Sequence, residues 1–146
     1  MRESLGKIEP LADLVVVSAT PEATLISEWE EAGLDRMVVS IAGQESGSKT
    51  EQLRFFCAGG YPADRVLMVG DAPGDKEAVK ARNSLFFPVN PGRESLSWKR
   101  FFDESGAHFL SGTYAGAYES SLIAEFDAML SEKPQRQKIF ESEKNN

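Results

Sequence analysis

The sequence is short of the side chains that most often carry chemistry. One cysteine, Cys57, stands in 146 residues, so no internal disulfide can form and the cysteine density of a secreted scaffold is missing. There is one histidine, His108, which excludes a His-based metal cluster and leaves a Cys–His catalytic pair without independent support. Both residues read as structural. No apolar run approaches the roughly 20 residues that span a bilayer. The opening residues, MRESLGKIEP, lack the apolar stretch of a secretory signal. These absences predict a cytoplasmic protein with no membrane association. Cations are the minority charge, with 16 Lys and Arg against 23 Asp and Glu, a net charge of −7 and a pI of about 4.8. That balance argues against a nucleic-acid surface, which needs clustered Lys and Arg. A small phosphorylated ligand held by one lysine and backbone N–H groups remains compatible with it.

What is present is an ordinary globular composition, 41% hydrophobic and 27% charged, of a length that suits one core. Short continuous apolar runs alternate with amphipathic stretches. The runs are Leu14-Val15-Val16-Val17, Met37-Val38-Val39 with Ile41, Val66-Leu67-Met68-Val69, and the weaker Leu85-Phe86-Phe87. Runs apolar at every position suit strands buried on both faces of a parallel sheet. Between them, Thr20-Pro21 predicts a helix start, with Thr20 as N-cap, Leu25, Ile26, Trp29 and Ala32 as the apolar face, and Gly33 as the stop. Ser48-Lys49-Thr50-Glu51 is a capping-box pattern opening a second helix, with Leu53, Phe56 and Cys57 inward and Gly59-Gly60 ending it. A third, short helix is expected at about residues 74–82, with Asn83 able to take the left-handed geometry at its end. After Pro91-Gly92 the pattern is helical, with one face marked by Trp98, Phe101 and Phe102 and another by Tyr118, Leu122, Ile123, Phe126 and Leu130. The order predicts one α/β domain with a mainly parallel sheet over residues 1–131, followed by a polar tail, residues 132–146, expected to fray.

Ligands of open α/β sheets bind beyond the carboxyl ends of the strands, so the residues after each run carry the functional expectations. After the third run comes Gly70-Asp71-Ala72-Pro73-Gly74-Asp75. Its spacing can place Asp71 and Asp75 on one side of a helix start, where two hard oxygen donors suit Mg²⁺. Capping aspartates in a loop explain the same spacing. After the first run, Ser18 and the N–H groups from Ala19 onward could seat a phosphate at a helix N-terminus, or simply cap the helix. Lys49 could reach an anion at the strand ends, or be a solvated surface lysine. The stretch Gly43-Gln44-Glu45-Ser46-Gly47-Ser48-Lys49-Thr50 is one residue from a Walker A loop. Ser48 stands where the second glycine belongs, and a Cβ fits poorly where backbone must curl around phosphate. A P-loop NTPase therefore ranks behind the other readings.

Three of these elements, in order, resemble the haloacid-dehalogenase-like (HAD) hydrolase superfamily. Leu14 to Ser18 resembles motif II, a hydrophobic strand ending in Ser or Thr. Lys49 resembles the motif III lysine, and Val66 to Asp75 resembles motif IV, a strand ending in G-D-x-x-x-D. Gly60-Tyr61-Pro62-Ala63-Asp64-Arg65 looks like the family's lead-in to that strand. The resemblance covers roughly residues 11–90, and residues 91–131 look like a C-terminal helical extension. It implies a three-layer, Rossmann-like fold. Ser18 and the Ala19 N–H would hold the phosphoryl group, Lys49 would neutralise its charge, Asp71 would bind Mg²⁺, and Asp75 would support the metal or its waters.

The departure is motif I, a strand followed by D-x-D-x-[TV], whose first Asp is the family's nucleophile. No D-x-D occurs in the chain, and only about a dozen residues, with Pro10 among them, precede the first run. The resemblance is therefore to a truncated core lacking motif I and any cap. In the family the motif I strand lies between the strands of motifs II and IV. Its loss would leave two edges about 9–10 Å apart, twice the normal strand spacing. Residues 14–17 and 66–69 are then expected either to pair directly or to accept a strand from another chain, whether a second copy or a different partner. Covalent catalysis needs the missing Asp. The leading expectation is thus a phosphatase-like core that is inactive alone, binds Mg²⁺ weakly and retains a phosphate or sulfate site. A non-catalytic binding or assembly module and one half of a split phosphatase are the alternatives.

Overall fold

The structure, a computed structural model, describes residues 1–144, with side chains described through Ser131. The chain is mixed α/β, with short strands in parallel pairs. In order, its elements are α1 (Arg2–Ile8), β1 (Val15–Val17), α2 (Glu22–Glu31), β2 (Ser40–Ala42), α3 (Lys49–Cys57), β3 (Leu67–Gly70), α4 (Pro73–Lys80), β4 (Leu85–Pro88), α5 (Glu94–Arg100), α6 (Gly106–Ser111) and α7 (Ala117–Lys144). A wide π-type turn, Phe101–Ser105, joins α5 to α6. α7 runs on through the polar stretch expected to fray; side chains beyond Ser131 lie outside the described residues, as do residues 145 and 146.

The strands form two sheets rather than one. β1 pairs in parallel with β2, Val16 opposite Ile41, and β3 pairs in parallel with β4, Met68 opposite Phe86. Direct pairing of the first and third runs, one of the two outcomes expected for them, does not occur. β2 also lies later than expected, because Asp35–Met37 closes a 3₁₀ turn instead and Val39 is left 67% exposed. The ladder opens where the Val39 N–H donates to Leu14 O (2.8 Å), which moves the paired strand to Ser40–Ala42.

Strand alternation sorts side chains onto two faces. Leu67, Val69, Leu85 and Phe87 enter one core with Ile8, Leu14, Phe101 and Tyr114. Met68 and Phe86 enter the other with Val17, Leu53, Val79 and Phe126. β3 and the segment of Leu14 and β1 thus contribute to the same two cores, Leu14 to the first and Val17 to the second, while belonging to different sheets. β4 is buried at all four positions, whereas β1 is only half-buried throughout.

Helix boundaries follow local chemistry where that chemistry is local. Ser48 caps α3, its Oγ accepting the Glu51 N–H at 3.2 Å. Asn83 ends the α4 turn at φ 61°, the left-handed conformation that asparagine tolerates. α2 differs from expectation: it begins at Glu22, Pro21 flanks it, and Thr20 does not cap it. Of its proposed apolar face only Leu25 is buried, and Ile26 is exposed. α1 was not foreseen; it buries Ile8 in the core and Ser4 against α5, where Ser4 Oγ donates to Trp98 O (3.1 Å).

The outer edge of β4 is finished by side chains. The Phe86 N–H donates to Glu119 Oε2 (2.7 Å), and Tyr114 Oη donates to Phe86 O (2.8 Å). Lys80 Nζ pairs with the same Glu119 oxygen at 2.6 Å. Burial first, and then the Glu119 charge, push the Tyr114 phenol far above its ordinary value, so it stays a neutral donor.

Replacing Glu119 with Ala strands a buried N–H and a lysine, so unfolding free energy in urea should fall by about 2–3 kcal/mol. Glu28→Ala, on an exposed stretch of α2, should stay within about 0.5 kcal/mol. Tyr114 also predicts alkaline sensitivity. Its proton is held in the folded state and lost in the unfolded state above the ordinary tyrosine pKa of about 10. Stability should therefore be flat below that pH and fall above it, and Tyr114→Phe should flatten the fall in a urea series.

Candidate functional site

The carboxyl ends of β1, β2 and β3 meet at the N-terminal turn of α3. The anchor is Gln52, one turn into that helix and 1% exposed. Its Nε2 donates to Gly43 O (2.7 Å), Ser18 O (3.1 Å) and Gly47 O (3.2 Å). One amide thus ties the end of β1 to both ends of the loop after β2. Gly43 has to be glycine, since a Cβ there would lie 2.5 Å from the Glu22 backbone nitrogen.

Lys49 opens the same helix and forms an ion pair with Asp75, whose side chain is 5% exposed. The other oxygen of Asp75, Oδ2, accepts the N–H groups of Asp71 and Ala72, each at 3.2 Å. Gly70 makes room for this, because a Cβ there would sit 2.4 Å from Asp75 Oδ2. α3 therefore grips both sheets, β1 through Gln52 and the loop after β3 through Lys49.

The structure brings Lys49 and Asp75 into contact and links Ser18 to them through α3. Ser18 Oγ accepts the Thr20 N–H at 3.1 Å, which leaves its own hydrogen free to donate. Ala19 is exposed, and among the described residues no hydrogen bond engages its N–H. Lys49 keeps two further N–H donors beyond its Asp75 bond. The N-terminus of α2 itself is taken: Glu45 Oε2 accepts the Glu22 N–H at 2.9 Å, placing a carboxylate where an anion would sit.

Asp71 is exposed, and among the described residues nothing engages its carboxylate. Asp75, by contrast, has both oxygens committed. Among the described residues no three acidic, His or Cys side chains gather in a metal-binding group. Of the two aspartates in this loop, Asp71 thus has the free carboxylate, and one carboxylate is fewer donors than a closed site requires. The Walker A resemblance also meets a physical obstacle. The loop directs the Gly43 and Gly47 carbonyls inward onto Gln52, whereas a phosphate cradle needs inward N–H groups. Of two surface grooves, of about 550 and 410 Å³, neither is lined by Ser18, Lys49, Asp71 or Asp75.

Gln52 and Glu45 escaped the sequence reading. Gln52 sits on the buried side of an amphipathic helix where an apolar residue is the default, and that oddity was its one available signal. Compared with protein-family models, curated proteins and solved structures, the chain matches none.

Gln52→Ala removes the side-chain donor from three carbonyls, of which Gly43 O keeps the Ser46 N–H, and should cost about 1–3 kcal/mol of unfolding free energy. Gln52→Glu, nearly the same shape but unable to donate, should cost at least as much in the same urea titration. A loss under about 0.5 kcal/mol in either would contradict the clasp.

Proposed function

We infer that the chain is an incomplete HAD-like phosphohydrolase core that binds a phosphoryl group and does not turn it over alone. The observation that carries this reading is the convergence on α3 of Ser18, Lys49 and the Gly70–Asp75 loop at the carboxyl ends of successive strands. In this reading the Ser18 hydroxyl, the Ala19 N–H and Lys49 hold phosphoryl oxygens as hydrogen-bond donors and a positive charge. Asp71 is the one ligand available to Mg²⁺, which would supply charge neutralisation, and its affinity here is weak for want of further carboxylates. Asp75 acts by positioning: it fixes Lys49 and shapes the loop that carries Asp71. None of these residues supplies an activated nucleophile.

A second reading, a non-catalytic binding or assembly module, is favoured by the separation of the two sheets. One half of a split phosphatase unites the two.

The purified chain, assayed on an aryl phosphate with Mg²⁺, should show no hydrolysis above buffer, and Asp71→Asn should match it. Inorganic phosphate should still raise the melting temperature, and Lys49→Ala should remove that rise. Turnover by the wild-type chain that Asp71→Asn abolishes would overturn the inactive-core reading. Absence of any phosphate effect would overturn the phosphoryl site.

A further inference from the structure

A groove opens between α3 and α4. Its wall from α3 is Thr50, Arg54 and Cys57, spaced so that they share one helix face, with Ala58 just past the helix end. From α4 the wall is Ala78, with Ala81 and Arg82 in the turn that follows. The small alanine side chains leave the space between the helices open, and the groove measures about 410 Å³, a volume that suits a metabolite-sized ligand.

The polar chemistry of this lining is one-sided. Arg54, Arg82, Thr50 and Cys57 can all donate a hydrogen bond, and no carboxylate lines the groove. The chain as a whole has 23 acidic residues against 16 basic ones, so a lining with two cations and no anion runs against its composition. The larger groove is acid-rich by contrast: Glu3, Glu94 and Asp103 line it with Lys99, which is paired to Asp103.

Neither arginine is neutralised by a carboxylate among the described residues. Exposed Arg54 makes no ion pair or hydrogen bond there. Arg82 Nε donates to Ser84 Oγ at 3.0 Å, and Ser84 is fully buried, so a fixed anchor aligns the guanidinium. Its two terminal NH₂ groups keep their four N–H donors. A guanidinium held in place before a ligand arrives lowers the ordering cost of binding.

We propose that this groove binds a small organic anion whose carboxylate or phosphate head bridges Arg54 and Arg82. Its compact apolar body lies on Ala58, Ala78 and Ala81. Guanidinium forks match either head through paired N–H···O bonds. Bare phosphate would fill little of the groove, so the carbon framework is part of the recognition. Ser18, Lys49, Asp71 and Asp75 do not line this groove, so the inference stands whether or not the hydrolase reading does.

The test titrates the full chain with benzylphosphonate, phenylacetate and the neutral phenylacetamide. Binding is read by NMR at the Nε–H signals of Arg54 and Arg82 and at the amides of Ala78 and Ala81. At least one anion should shift these signals saturably, phenylacetamide should not, and the tighter anion identifies the head. Arg54→Gln, at an exposed position, should weaken that anion at least about tenfold, and Arg82→Gln should do the same. Arg54→Lys, which keeps the charge and loses the fork, should weaken it less than Arg54→Gln. The proposal is overturned if neither anion saturates these signals, or if phenylacetamide binds as tightly as phenylacetate. It is also overturned if Arg54→Gln and Arg82→Gln both leave the affinity unchanged, or if the shifts gather at Ser18 and Lys49 and leave the two arginines unmoved.

Discussion

Backbone N–H and C=O groups inside a protein need partners, and that requirement organises this molecule more than any single side chain does. A lone pair of strands is marginal in water, so each of the two sheets depends on what closes its edges and covers its faces. At β4 the closure is visible: Glu119 takes the Phe86 N–H, Tyr114 caps the Phe86 carbonyl, and α7 packs along the strand. At the free edges of β1 and β3 no such closure exists among the described residues; β1 is half-buried throughout and β3 buries only Met68, beside a fully buried β4.

Besides the shared cores, the helix between the two halves in sequence ties them together. α3 contacts both β1 and α4, and its first turn supplies Gln52 to one half and Lys49 to the other. The same two contacts that join the sheets also set the candidate phosphoryl site. Integrity of the fold and placement of Ser18, Lys49 and Asp71 are thus coupled, and a change that loosens α3 should affect both.

Local rules made the local features legible. The N-cap at Ser48, the left-handed turn at Asn83, and the strands at residues 15–17, 67–70 and 85–88 follow from short-range pattern. The proximity of the G-D-x-x-x-D loop to Lys49 followed from ordering runs along a parallel fold. What escaped depended on partners distant in sequence. β2 moved because its ladder is set by Leu14, some two dozen positions upstream. Thr20 lost its capping role because Glu45 supplies the carboxylate from another loop. Asp75, expected near a metal, is committed to Lys49 and two backbone N–H groups. The division into two sheets is a property of the whole chain, and no window of residues reveals it.

The central claim is that β1 and β3 each pair on one edge alone, and amide hydrogen exchange in the dilute, isolated chain tests it most directly. The amides of Val16 and Met68 point into the ladders, and should be protected well above those of Val15, Val17, Leu67 and Val69, which point away from them. An alternating pattern of that kind along both strands is the predicted result. Equal and strong protection of all six amides would mean that the facing edges are already paired, and would contradict the account.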